Sequence, residues 1–451
     1  MCASLRRHPR GRAITRILAA SLQAVEPGAA VARHMQRDGE ALSIGDKIYH
    51  LDEIRHVYLV GFGKAAVPMG LSASTILGEY LHQGLLITKT GQALPLPGAI
   101  AHRLVVVEAG HPIPDESSLQ ASLRLNTLLH AVHPQDLVIC LISGGGSALI
   151  TMPVDGVSLA ELQALTSQLL ACGASISEIN VLRKHLEQLK GGRLAQRAAP
   201  AALVGLVLSD VIGDRLEVIA SGPTVADSTT FGDALDILRH YNLVDTTPPA
   251  IQQYLKDGAA GRQPETPKPG EAAFANVYNL VTGSNLQAAQ AALQQARNEG
   301  MDAQLLTTSL QGEARQAGRF LASLASELTL GRGPVRRPGC LILGGETTVI
   351  VTGGGFGGRN QELALGAVAD LAGLSDILLV TLATDGGDGP TDAAGAVASG
   401  ETLERARSLG LDPRTYLQQN DSYHFFQALD DLLKPGPTQT NVNDLAFVFA
   451  F

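Results

Sequence analysis

The chain has 451 residues, with 34 Lys and Arg against 43 Asp and Glu, a formal net charge of −9. That balance argues against a nucleic-acid binder, which needs a basic surplus to meet phosphates. A hydrophobic fraction of 45% with 17% charged residues excludes general disorder, and the length suits two or three domains.

Cys2, Cys140, Cys172 and Cys340 stand too far apart for a thiolate metal site or a disulfide framework, which favours a reducing cytoplasm. No apolar run approaches the ~20 residues of a membrane span. The N-terminus carries Arg6, Arg7, Arg10, Arg12 and Arg16 with no acid before Glu26, the charge pattern of a mitochondrial transit peptide. From Ala13, however, AITRILAASLQAVEP has helical apolar spacing, so an ordinary first helix behind a basic tail is the preferred reading.

Strand-like runs follow at 56–62 (HVYLVGF), 102–109 (HRLVVVEA), 136–143 (DLVICLIS) and 203–210 (LVGLVLSD), separated by helical stretches. Because they are apolar at nearly every position, they should be buried on both faces of a mainly parallel sheet covered by helices. The prediction is a three-layer α/β/α, Rossmann-like domain over 1–254. Residues 255–272, rich in Pro, Gly and polar side chains, read as a linker. A second α/β domain with a mixed sheet is predicted for 273–451. It would hold VYNLVTGSN, DAQLLTT, a hairpin made from LILGGETTVIVTGG, the run DILLVTLATDG, and a buried last strand in NDLAFVFAF.

Candidate functional residues fall in the glycine clusters. In LISGGGSALI a buried strand runs into Ser143, Gly144, Gly145, Gly146 and Ser147, whose bare backbone could cradle a phosphate or simply turn tightly. The Walker pattern G-x-x-x-x-G-K-[ST] occurs nowhere in the chain. VGFGKAA sets Lys64 just after a strand, in reach of an anion or out in solvent. GGGFGGRNQE fits G-x-G-x-x-G through Gly353, Gly355 and Gly358, weak evidence for a dinucleotide site without its βαβ context. It leads into Arg359, a fork suited to a carboxylate or phosphate, then Asn360 and Glu362. Both are substrate-binding candidates, although Arg359 and Glu362 could also pair across one helical turn. Carboxylates at Asp210 and Asp214, and at Asp385, Asp388 and Asp392, suit a magnesium ion shared with phosphates, a general base, or plain turns. The helix at 178–195 offers Arg183 and Lys184 to a substrate, with Lys190 and Arg193 beyond them.

Taken together, VGFGKAA, GHPIPDESS, LISGGGSALI, EINVLRKHLEQLKGGRLA, LSDVIGDRLEVIASGPT, LILGGETTVIVTGGGFGGRNQELAL, ATDGGDGPTDAAGA, NDSYHFF and TNVNDLAFVF resemble the glycerate 2-kinase family of the MOFRL type, whose members have often been labelled hydroxypyruvate reductases. The resemblance covers nearly the whole chain. It implies a cytoplasmic two-domain α/β kinase with a cleft between its domains, which uses ATP and Mg2+ to phosphorylate the 2-hydroxyl of D-glycerate. Its partners would be small molecules, with neither nucleic acid nor membrane involved, and a homodimer stays open. Lys64 and Arg359 stand at the family's catalytically important lysine and arginine. Chemistry then assigns Lys64 to the transferring phosphoryl group and Arg359 to that group or the glycerate carboxylate. The turn 143–147 goes to phosphate, Asp210 to the base or a metal, and Asp214, Asp385 and Asp388 to metal. Where the family usually has Gly before TNVND, this chain has Gln439, in a turn that wants positive φ. Two rival readings are an NAD(P)H-dependent hydroxypyruvate reductase and a non-catalytic sensor of a sugar acid or nucleotide.

Overall fold

The structure, a computed structural model, describes residues 1–451. Two compact units emerge. One comprises Pro27–Ser209 with Asp214–Thr282, and the other Met1–Glu26, Asp210–Gly213 and Gly283–Phe451.

The first unit is built on six strands: β1 (Val57–Phe62), β2 (Leu81–Lys89), β3 (Leu104–Ala109), β4 (Leu137–Ile142), β5 (Ala202–Leu208) and β6 (Val277–Gly283), in the order β3-β2-β1-β4-β5-β6. The pairs β1–β2, β2–β3, β1–β4 and β4–β5 are all parallel. β1 and β4 are buried at every residue, as apolar runs without alternation require. Helix α1 (Ala66–Leu77) packs on β1 and β2, and α2 (Glu116–His130) on β3. Between β4 and β5 the chain adds helices including α3 (Ile176–Leu186), gathered around Phe231, Leu182, Ile251 and Leu255. α2 and α3 start in capping boxes, Asp115 with Ser118 and Ser175 with Glu178, which satisfy amides the helix itself leaves unpaired.

The second unit has a mixed sheet of β7 (Asp302–Leu310), β8 (Gly339–Gly345), β9 (Ile377–Ala383), β10 (Gly395–Ser399), β11 (Leu432–Leu433) and β12 (Asp444–Ala450), ordered β7-β8-β12-β9-β10-β11. Only β7–β8 is parallel. The last strand therefore sits in the middle of the sheet, fully buried, as its apolar text predicts. Helix α4 (Arg359–Leu371) crosses this sheet against Ala314–Thr329.

Three expectations are corrected. The domain boundary is not at 254 and the linker is not 255–272. The helix Pro249–Ala259 runs into that stretch, and its remainder is strapped to the first unit. The Glu265 carboxylate accepts from the Phe231 amide (2.9 Å) and meets His185 Nε2 (3.1 Å), while Thr266 Oγ1 donates to Asp227 (3.0 Å). β6, expected in the C-terminal domain, completes the N-terminal sheet, so the crossover falls at 282–283. Second, residues 1–26 belong with the C-terminal residues. Ser4 donates to Asp431 through its amide and hydroxyl (2.7 and 2.8 Å), and Arg16 grips Glu299 bidentately (both 2.6 Å). The basic tail is thus folded structure, with a helix over Gly11–Ala24 as the spacing from Ala13 requires. Third, TTVIVTGG is no hairpin strand. Thr348 makes one isolated bridge to Glu313, and Ile350 and Val351 are 64% and 74% exposed, because β12 takes the place beside β8.

Gln439 adopts φ +62°, so the turn takes the left-handed form with a side chain in place. Thr438 and Thr440 anchor it through Oγ1 to the carbonyls of Thr384 and Val25 (2.5 and 2.6 Å). An L-residue there costs roughly 1–2 kcal/mol, part of which glycine returns to unfolded-chain entropy. Gln439→Gly is expected to raise the midpoint of calorimetric unfolding, by on the order of 1–2 °C for a chain of this size.

Candidate active site

In the order β3-β2-β1-β4-β5-β6, the chain winds outward in one direction from β1 and in the other from β4, so their carboxyl ends flank the switch point where open α/β sheets bind ligands. Lys64 leaves β1 there, and Ser143–Ser147 leave β4. Sequence reasoning proposed both, and the structure brings them together. The Lys64 amide donates to the Gly144 carbonyl (2.9 Å), and the Ala65 amide to Ser143 Oγ (3.0 Å). Gly63, at φ +129°, lets the turns meet: a Cβ there would lie 2.1 Å from Ser143 Oγ. Ser147 Oγ hydrogen-bonds Ser221 Oγ (2.9 Å), and Ser221 donates to Asn180 Oδ1 (2.9 Å). Ala220 and Ser221 hold φ of +49° and +62°, backbone strain of the kind that collects at functional sites.

Two groups at this rim escaped sequence reasoning. His111 lies against Gly145, where a Cβ would fall 2.9 Å from Cδ2 and 3.0 Å from Nε2, and 3.5 Å from Lys64 Cγ. Burial first, then Lys64 and Lys89, push its imidazole down to about 4. Lys89 closes β2 in register with Ala109. The signals were GHP and LITK, neither a recognised catalytic spacing.

Of the basic residues on 178–195, Arg183 lines a small cavity with Ser147 and Thr151. Lys184 is corrected as a substrate ligand: it is buried and its ammonium meets Asp227 (3.2 Å). Lys190 is fully buried beside Glu187, and Arg193 donates to the Glu187 carbonyl (2.7 Å). Asp210 follows β5 after one residue, half-buried, and Asp214 sits in a left-handed turn at φ +53°.

In the second unit Arg359 opens α4 and is held by acids at one end of the mixed sheet. Its Nε and Nη2 donate to Asp444 (2.5 and 3.2 Å), and Nη1 to Glu346 (2.6 Å). Burial opposes its charge, but Asp444 and Glu346 outweigh it and hold the guanidinium above its usual range. Neither acid was named from the sequence, although both flank glycine-rich or TNVND text. Glu362 does not pair with Arg359. It is buried and takes Arg315 (Nε, 2.9 Å) and Asn420 (3.1 Å), so it braces α4 instead of meeting substrate. Asn360 is likewise buried, its amide group donating to Asp388 (3.3 Å).

The carboxylates proposed for metal have different surroundings. Asp388 caps α4 from outside, accepting from the Asn360 and Gln361 amides (3.1 and 2.8 Å). Asp385 is exposed and accepts from the Gly387 amide (3.1 Å). No group of three His, Cys, Asp or Glu side chains able to hold a metal ion exists. The G-x-G-x-x-G glycines serve packing: Cβ atoms at Gly353 and Gly355 would fall 2.4 and 2.5 Å from Gln419 or Asp421, and one at Gly358 2.3 Å from Asp388 Cγ.

A doubly wound α/β unit with a glycine turn beside a lysine, joined to a mixed-sheet unit carrying a clamped arginine, defines a two-unit α/β protein. Residues 13–256 match the family model described as a domain of unknown function (DUF4147), and residues 339–444 match the MOFRL family model. The D-glycerate 2-kinase of Thermotoga maritima is 46% identical over 86% of this chain and 89% of its own. A protein of Agrobacterium vitis with a provisional hydroxypyruvate reductase name is 41% identical over 86% and 97%. The crystal structure of glycerate kinase from Thermotoga maritima superposes with a TM-score of 0.87 at 41% identity, covering 98% of this chain and 99% of that one. The chain belongs to the glycerate 2-kinase family of the MOFRL type.

Burial pushes Asp388 up to about 6 from an ordinary 3.8, against its amide hydrogen bonds. The folded protein therefore retains a proton the unfolded chain releases, and this group's contribution to stability falls as pH rises from about 4 to about 6. Asp388→Asn should flatten the slope of urea midpoint against pH in that window, by up to about 1.4 kcal/mol per pH unit.

Proposed function

We propose that this protein is an ATP-dependent phosphotransferase that phosphorylates the 2-hydroxyl of D-glycerate, giving 2-phospho-D-glycerate and ADP. The observation that carries the site is the pairing of Lys64 with the 143–147 turn at the β1–β4 switch point; the relatives' names supply the substrate. In the reaction the glycerate 2-hydroxyl oxygen attacks the γ-phosphorus in line. The bond from that phosphorus to the β–γ bridging oxygen breaks, ADP leaves, and the hydroxyl proton passes to a base, for which Asp210 is our assignment.

Such a transfer needs alignment and charge stabilisation more than covalent help. Lys64 neutralises charge on the transferring phosphoryl group, and Arg359 serves that group or the glycerate carboxylate. With Glu346 and Asp444 fixing two edges of its fork, Arg359 cannot swing freely, so its charge is placed before substrate arrives. The side chains do not form a cage for a divalent cation, and Asp388 is spent on a helix. Magnesium would enter with the triphosphate as part of the substrate, the usual preference of an ion that keeps few protein ligands. We place the enzyme in the cytoplasm, where its four free cysteines stay reduced; no helix is long and apolar enough to cross a membrane.

The reductase reading lacks support in the chain's own geometry. At the start of α4, where a pyrophosphate would sit, the Asp388 carboxylate already takes the helix amides. Phosphorus NMR of protein, magnesium ATP and D-glycerate should show 2-phosphoglycerate growing with ADP, with no NAD(P)H oxidised on hydroxypyruvate. Lys64→Ala and Arg359→Ala should each lower kcat roughly 10²–10³-fold. Tight binding of both substrates with no turnover in the unmodified protein would instead identify a sensor.

A further inference from the structure

Three adjacent parallel strands, β1, β2 and β3, deliver Lys64, Lys89 and His111 to one edge of the sheet. The imidazole and the Lys64 stem meet over Gly145, whose φ of +84° and missing Cβ make the approach possible. Neither lysine has an acid partner within ion-pair distance. The carboxylates nearest His111 in the chain are engaged elsewhere. Glu108 accepts from the Gly91 and Ala93 amides (2.9 and 3.1 Å), and Asp115 from those of Gly110 and Ser118 (3.2 and 3.1 Å). Two half-buried cations acting on a half-buried imidazole, with Glu108 and Asp115 held by backbone amides, make a site suited to an anion.

We propose that Lys64, Lys89 and His111 form a tripod that binds a phosphoryl dianion, making Lys89 and His111 ligands of the group that is transferred. Three donors converging from three strand ends match the three terminal oxygens of a phosphoryl group better than the two of a carboxylate. The inference rests on the reading that this switch point handles the phosphoryl group, and adds two residues and a proton to it. The groups facing His111 are Lys64 and Lys89, with burial, and together they leave its ring uncharged at neutral pH. A dianion between the lysines reverses that field, so binding draws a proton onto His111.

The test is calorimetric titration of the full-length protein with inorganic phosphate at pH 7 in two buffers of different ionisation enthalpy, alongside steady-state kinetics. At pH 7 selection of the phosphate dianion itself releases part of a proton, so the proton on His111 is read as a difference: unmodified protein should take up as much as one proton more per phosphate than His111→Gln, which keeps a donor and should still bind. Lys89→Gln should weaken phosphate binding tenfold or more. Competition of phosphate against ATP would assign the group to the nucleotide, and competition against glycerate to the phosphorylated product; either supports the tripod. Absence of phosphate binding, or variants indistinguishable from the parent, overturns it. The two readings fail separately. Phosphate binding through Lys89 in a protein that turns over nothing sinks the kinase and keeps the tripod, whereas a fully active Lys89→Gln does the opposite.

Discussion

The hydrogen bond from the Lys64 amide to the Gly144 carbonyl, with the Ala65 amide on Ser143 Oγ, locks the ends of two central strands to one another. Everything that reads as chemistry in the first unit hangs from that lock. It requires glycine at 63, because a Cβ would strike Ser143, and glycine at 145, because a Cβ would strike His111. It also requires that β1 and β4 be neighbours, which only the outward winding of the sheet in both directions provides. The fully apolar text of these strands thus has a purpose beyond burial. It sets a rigid platform from which short polar turns project at fixed separations.

The second unit solves a different problem. Its arginine lies half-buried, where a lone guanidinium would be penalised by desolvation, and the penalty is met by two carboxylates from separate strand ends. Asp444 stands at the first position of β12, in register with both Gly345 and Ala383, so the central placement of the last strand is what brings the acid to the arginine. At the next residues of the same helix, Asp388 takes amides that would otherwise be open to an anion. This unit therefore presents a fixed cation and a closed helix end, and the G-x-G-x-x-G text there encodes close backbone packing against residues 419–421 instead of a nucleotide cradle.

The sequence made the strands of the first sheet legible where they were long and uniformly apolar, and it made Lys64 and the 143–147 turn legible because glycine runs after such strands are rare. β2 was harder to see. Its text, LHQGLLITK, breaks its apolar run with polar residues and Gly84, and Lys89 went unnoticed with it. The 255–272 stretch has the composition of a linker, but composition is silent about Glu265 and Thr266 finding buried partners on Asp227, His185 and Phe231. The carboxylates were the least legible. Asp385, Asp388 and Asp392 look equivalent in the text, yet one is exposed on a turn, one caps a helix and one pairs with Lys434 and Tyr423, and the last two roles depend on residues distant in the chain.

That last contrast bears on how the chain deploys its carboxylates and its lysines. A metal cage needs several carboxylates left without other donors, and here the buried ones are already satisfied by backbone amides, arginine or lysine. At the β1–β4 switch point the opposite holds: the amides of 91, 93, 110 and 118 draw off the acids, leaving the lysines unneutralised. A carboxylate bonded to backbone amides is kept from swinging towards a lysine. The hydrogen bonds that shape these loops thereby also preserve the positive field at the sheet edge, and local backbone structure and electrostatics become one constraint.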